Sequence, residues 1–68
     1  MFTDEEIAKH PILHFFHYKQ LPPRLQEVSK PFCEHAARLT RSLKPSAELS
    51  ACLRKLLEAK DCAVRASL

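Results

Sequence analysis

Glycine is absent from the 68 residues, and no other feature of the composition excludes as much. Phosphate-cradling loops, the first turn of a dinucleotide-binding fold and the nucleophile elbow of hydrolases all use backbone that glycine alone adopts cheaply. None of these motifs is present. The carboxylates Glu27, Glu34, Glu58 and Asp61 form no evident acid–base pair, and no nucleophile–base–orienter set is legible. The chain is expected to be non-enzymatic, and no cofactor-binding motif is found. Cysteine is sparse as well: Cys33, Cys52 and Cys62 are odd in number and show no CxxC spacing. That argues against a secreted disulfide framework and for a reducing compartment, with the thiols buried as small hydrophobes. No apolar run approaches the ~20 residues of a membrane span. The acidic opening MFTDEEIAKH has no apolar signal-peptide stretch, so a soluble, cytoplasmic protein is expected.

What is present fits one domain, residues 1–68. Below about 70–80 residues a single core rarely supplies more than ~3–5 kcal/mol, so such chains usually need disulfides, a metal or self-association. The hydrophobic fraction of 46% and charged fraction of 28% are those of a globular chain. The net charge is +3, from 11 cations and 8 anions spread along the sequence. That favours anionic partners, and suits a small anion at least as well as a long nucleic acid, whose binding modules carry a denser basic stripe.

Prolines divide the chain. Thr3-Asp-Glu-Glu6 is a capping box that opens a short helix. Pro11 disfavours helical backbone at His10, so this helix ends or restarts there. Ile12, Leu13, Phe15, Phe16 and Tyr18 follow as an apolar, mostly helical strip. Leu25, Val28, Phe32, His35/Ala36, Leu39 and Leu43 then step by three and four, the stripe of an amphipathic helix over residues 22 to 43. Pro22 and Pro23 suit its start, and Pro31 should kink it or strain its early turns. Ser46 is a good N-cap for a third helix with its stripe at Leu49, Cys52/Leu53, Leu56, Ala59/Lys60, Ala63 and Val64. The expected fold is all-α: an antiparallel αα-hairpin of two long helices with a short N-terminal helix. Two helices of ~30 Å bury one stripe against each other and leave Leu57 and the Phe15/Phe16 pair seeking cover. Assembly as a homo-oligomer is therefore expected.

The stretch HFFHYKQLPPRLQ concentrates rings and cations in a chain with one tyrosine, four phenylalanines and no tryptophan. Tyr18 has two readings. One is a core ring with its hydroxyl in water. The other is a stacking face beside Lys19 and Arg24, since a ring for a base and a cation for a phosphate are how proteins hold nucleotides. His10, His14 and His17, spaced by four and three, share a face if helical, and Cys33 and His35 are near in sequence. The paired frames of a zinc site are missing, so solvated or interface histidines are expected and no metal. Lys55, Lys60 and Arg65 read as cations late in a helix, where they favour its negative end and pair with Glu58 or Asp61.

The run HPxxxFFxYxxLPxxLQxxSxxF over residues 10 to 32 and the string LRKLLEAKDCAVRA over residues 53 to 66 resemble phage anti-CBASS cyclic-oligonucleotide sponges, with the helical hairpin of anti-CBASS and anti-Thoeris proteins. The resemblance covers residues 10 to 65. It implies a non-catalytic binder, assembled as an interlocked homohexamer in the cytoplasm of an infected bacterial host. Such a protein sequesters the cyclic di- and trinucleotide messengers of bacterial immunity without cleaving them. By the same resemblance Tyr18 stacks on a base of a cyclic dinucleotide between protomers. Lys30 matches the phosphate-binding lysine, with Lys19 and Arg24 as alternatives. Arg65 matches the arginine of a separate cyclic trinucleotide pocket lined by C-terminal helices. The alternative reading, from charge and helicity alone, is a small basic nucleic-acid-binding or regulatory protein, which would bind DNA or RNA with steep salt dependence.

Overall fold

In a computed structural model, which describes residues 2–68, the chain turns without a single positive φ among the described residues. Lacking glycine, it ends two of its helices on non-helical residues placed close before prolines. His10 (φ −135°, ψ 81°) precedes Pro11, and Leu43 (φ −114°, ψ 146°) closes a helix two residues before Pro45. Proline removes the helical well from the residue before it. The breaks at 10–11, 21–22 and 44–45 are thus written in the sequence.

The elements are α1 (Asp4–Lys9), a 3-10 helix (Pro11–Phe16), α2 (Pro23–Ser42) and α3 (Ala47–Ala66), with no strand among the described residues. The capping box forms as expected: Glu6 N–H donates to Thr3 Oγ1 at 3.1 Å, and Thr3 N–H donates to Glu6 Oε1 at 3.0 Å. Ser46 Oγ accepts from Leu49 N–H at 3.1 Å to open α3. Pro22 opens α2 through its carbonyl, which accepts from Leu25 N–H at 2.9 Å and Gln26 N–H at 3.0 Å. Pro31 lies inside α2 without breaking it.

The segment after Pro11 is a 3-10 helix, and its period of three sorts the aromatic stretch. Side chains at i and i+3 eclipse in such a helix. Leu13 and Phe16 therefore share one edge, and both are fully buried. His14 and His17 share the next, with ring centroids 5.3 Å apart. Phe15 takes the third edge and is 62% exposed. The expectation that Phe15 and Phe16 behave as a pair is corrected: one is core and the other is surface.

The core gathers Leu13, Phe16, Tyr18, Cys33, Ala36, Leu49 and Leu53, ringed by half-buried Phe2, Ile7, Ile12, Leu21, Phe32, Leu39, Leu56 and Leu57. Helices α2 and α3 pack on each other, and the 3-10 helix lies against both. The buried face of α2 is rotated from the expected stripe. Leu25, Ser29, Cys33, Ala36 and Ala37 are inside, Val28 and Phe32 are half-buried, and His35 and Leu43 are exposed. Small residues at 29, 33, 36 and 37 let the helices and the 3-10 segment approach closely, which a stripe drawn through the largest apolar residues misses. Cys33 alone is a buried thiol, and burial pushes its pKa up; Cys52 and Cys62 are exposed, which corrects the expectation of three buried thiols. Leu57 finds partial cover against the core.

Helix α1 packs Ile7 against the core and is tied to α2 by an ion pair. Arg41 of α2 grips Glu6 with two parallel bonds, Nε to Oε2 at 2.8 Å and Nη2 to Oε1 at 3.0 Å. The fork geometry of guanidinium on carboxylate gives such a pair direction as well as strength. Glu6 thus caps its own helix and ties it to α2. Among the described residues no helix is long and apolar enough to cross a membrane.

Candidate functional site

The loop between the 3-10 helix and α2 is fixed by side-chain amides. Gln20 Nε2 donates to the His17 carbonyl at 2.9 Å, and Leu21 N–H donates to the Tyr18 carbonyl at 3.0 Å. Gln26 Nε2 reaches back from α2 to the carbonyls of Leu21 at 2.8 Å and Lys19 at 3.3 Å. The LPPRLQ string therefore builds its own brace: Pro22 and Pro23 start the helix, and Gln26, one turn in, pins the loop that carries Tyr18 and Lys19.

Beside that brace lies an open cavity of about 520 Å³ lined by Tyr18, Lys19, Pro23, Gln26, Glu27 and Lys30. Three of the four residues singled out for a cyclic dinucleotide, Tyr18, Lys19 and Lys30, come together there. The fourth, Arg24, is exposed on α2 and does not line it. The volume falls within the ~300–1,000 Å³ of small-molecule sites. Its charged lining is two lysines against one carboxylate, Glu27, a surplus of one positive charge per chain. Glu27, Gln26 and Pro23 were not anticipated as site residues; the i, i+3, i+4, i+7 spacing of 23, 26, 27 and 30 puts all of them on one strip of α2.

Tyr18 is 8% exposed and belongs to the core cluster. Its hydroxyl makes no hydrogen bond among the described residues and is not a sealed polar atom. The body of the ring is therefore packed, and its remaining surface meets the cavity. Of the two readings of Tyr18, the single chain displays the core ring most fully, with the cavity at its edge.

Arg65 stands near the C-terminal end of α3, exposed, with Nη2 3.4 Å from Cys62 Sγ. It is far along the chain from the first cavity's lining and shares none of its residues. Lys60, read as a pairing cation, meets Asp61 at 2.9 Å, and its side chain is only 13% exposed. His14 and His17 meet ring to ring, while the described residues bring no three His, Cys, Asp or Glu side chains together as a metal site.

Compared with models of protein families, with curated proteins and with solved structures, the chain matches none.

Proposed function

We propose that the chain is a phage anti-defence protein that binds cyclic di- and trinucleotide messengers of bacterial CBASS immunity and sequesters them uncleaved in the host cytoplasm. The observation that carries this reading is the convergence of Tyr18, Lys19 and Lys30 on one open cavity beside a braced loop. A cyclic dinucleotide carries two negative charges and two bases related by a near two-fold axis. Two copies of the cavity, facing each other across such an axis, offer two surplus positive charges and two tyrosines. Lys30 and Lys19 meet the phosphates, and Tyr18 supplies the aromatic wall against each base.

Assembly completes the site. The fold is proposed as an antiparallel hairpin, for which the four-residue connection at 43–46 and the contact of α2 with α3 are the support. The homo-oligomer, a hexamer by resemblance, is supported by the small core and by the exposure of Leu43 and Leu68. Arg65, carried at the end of α3, serves a separate trinucleotide site formed where C-terminal helices of several copies meet. No step of bond cleavage is involved.

The test is calorimetric titration with a 3′,3′-cyclic dinucleotide, followed by denaturation and mass analysis of the ligand. Saturable binding with the intact ligand recovered is expected. Lys30→Gln should weaken binding by about tenfold or more, as loss of a charge-assisted phosphate contact does. Because Tyr18 is core, Tyr18→Leu is the informative ring variant: it fills most of the volume and removes the π-face. Normal binding by both variants would remove the site; a linearised product would remove the sponge.

A further inference from the structure

A second open cavity, of about 580 Å³, is lined by His14, Phe15, His17, Gln20 and Lys60. It shares no residue with the cavity of Tyr18, Lys19 and Lys30. We infer that it is a separate binding site for a purine nucleotide with a terminal phosphate, with Phe15 as the platform for the base and Lys60 as the phosphate contact.

The inference starts from Phe15. A phenylalanine that is 62% exposed on a short, regular element is not filling the core, since Leu13 and Phe16 on the inner edge already do so at full burial. Its position is nonetheless held. The His14 ring stands edge-on to it at 5.8 Å and 77°, and edge-on to His17 at 5.3 Å and 82°. Phe2 in turn meets His17 at 6.4 Å and 74°. Edge-to-face contacts of this kind favour fixed ring orientations, so Phe15 offers an open, ordered apolar surface. That is what stacking of a base requires, and it is what Tyr18, at 8% exposure, lacks in the single chain.

The polar groups at the rim suit the rest of a nucleotide. Lys60 comes from α3, its side chain is largely covered by protein, and it lines the cavity. One of its three N–H donors meets Asp61 at 2.9 Å, which orients the group and leaves two donors for phosphate oxygens. The imidazoles of His14 and His17 add ring N–H donors. Gln20 uses one amide N–H on the His17 carbonyl, leaving a carbonyl oxygen and a second N–H for the base edge. Asp61, the carboxylate paired with Lys60 at 2.9 Å, does not line this cavity but offsets part of the Lys60 charge. An aromatic face, an amide edge and an ammonium within one cavity of nucleotide size define the ligand class by chemistry alone.

Titration of the isotope-labelled full chain with ADP, followed by NMR, tests this. Saturable shifts at His14, Phe15, His17, Gln20 and Lys60 are expected. Phe15→Ala should weaken ADP by about tenfold or more, the scale of one lost base stack, with native mass and melting temperature unchanged because the ring is at the surface. Lys60→Gln should weaken ADP but leave adenosine unaffected. Shifts confined to Tyr18, Lys19 and Lys30 overturn the inference, as does no shift at millimolar ADP. It is overturned equally if Phe15→Ala alters the native mass while ADP still binds, since Phe15 is then a contact between copies. Cyclic dinucleotide binding and its loss in Lys30→Gln are scored in parallel, so failure of either site leaves the other result standing.

Discussion

Ser29 is the one fully buried polar side chain among the described residues, and its Oγ has no hydrogen-bond partner. An unsatisfied buried hydroxyl costs roughly 1–3 kcal/mol of desolvation. Its tolerated size explains the choice: a serine there lets α2 pack close where a larger residue would clash. Ser29→Ala keeps the shape and removes the orphan oxygen, so stability should be unchanged or rise by about 1 kcal/mol; chemical denaturation measures this, and a clear loss would mean the hydroxyl has a partner in solution. Phe15 and Phe16 make a related point. Adjacent in sequence and identical in chemistry, they separate into surface and core because a 3-10 turn rotates successive residues by a third of a circle. Nothing in the letters FF distinguishes them. Only the helix type does, and Pro11 announces a new element without stating its period. The same ambiguity hid the cavity at His14, Phe15 and His17, which depends on that period and on Lys60 arriving from a helix more than forty residues later.

Two of the helices carry a feature that sets their stability against their position. Pro31 is the ninth residue of α2 and cannot donate to the carbonyl of Glu27. Pro31→Ala restores that bond and removes a steric clash, so the chain should unfold later, by about 1–3 kcal/mol. Thermal unfolding checks this, and a lower melting temperature would show that the proline ring is needed for packing. Helix α1 depends instead on Glu6. Hydrogen bonds from the Arg41 guanidinium, then from the Thr3 amide, hold its carboxyl at about 2 against an ordinary 4.5. The folded value lies below the unfolded one, so the contribution is fully present above pH 4.5 and is lost as pH falls from there through about 2. Hydrogen exchange across Asp4–Lys9 should accelerate in that window, relative to its intrinsic rate, and Glu6→Gln should give the faster exchange already at pH 7. A pH-independent protection of α1 would mean that packing of Phe2 and Ile7, not charge, holds it. The capping box, the three proline breaks and the Ser46 cap were all legible, because each is a local pattern that acts within four residues. The Glu6–Arg41 tie was not, because it joins residues 35 apart. The rotated face of α2 escaped for another reason: large apolar residues mark a stripe by eye, while close packing prefers the small ones.

A longest dimension of 34 Å and a radius of gyration of 11.8 Å describe two helices side by side with a short cap, a shape with little interior. Among the described residues nine hydrophobic ones are buried, and eight half-buried ones pack against the core cluster. In the proposed homo-oligomer those eight are covered by further copies, which adds stability in proportion to apolar area removed from water. On that proposal the apparent melting temperature should rise with protein concentration and again with ligand. Native mass spectrometry of the full chain, with and without a 3′,3′-cyclic dinucleotide, tests this most directly. A closed homo-oligomer that takes up about one dinucleotide for every two chains, as a site on a two-fold axis requires, and releases it uncleaved is the predicted result. A stable monomer that binds no cyclic dinucleotide would contradict it.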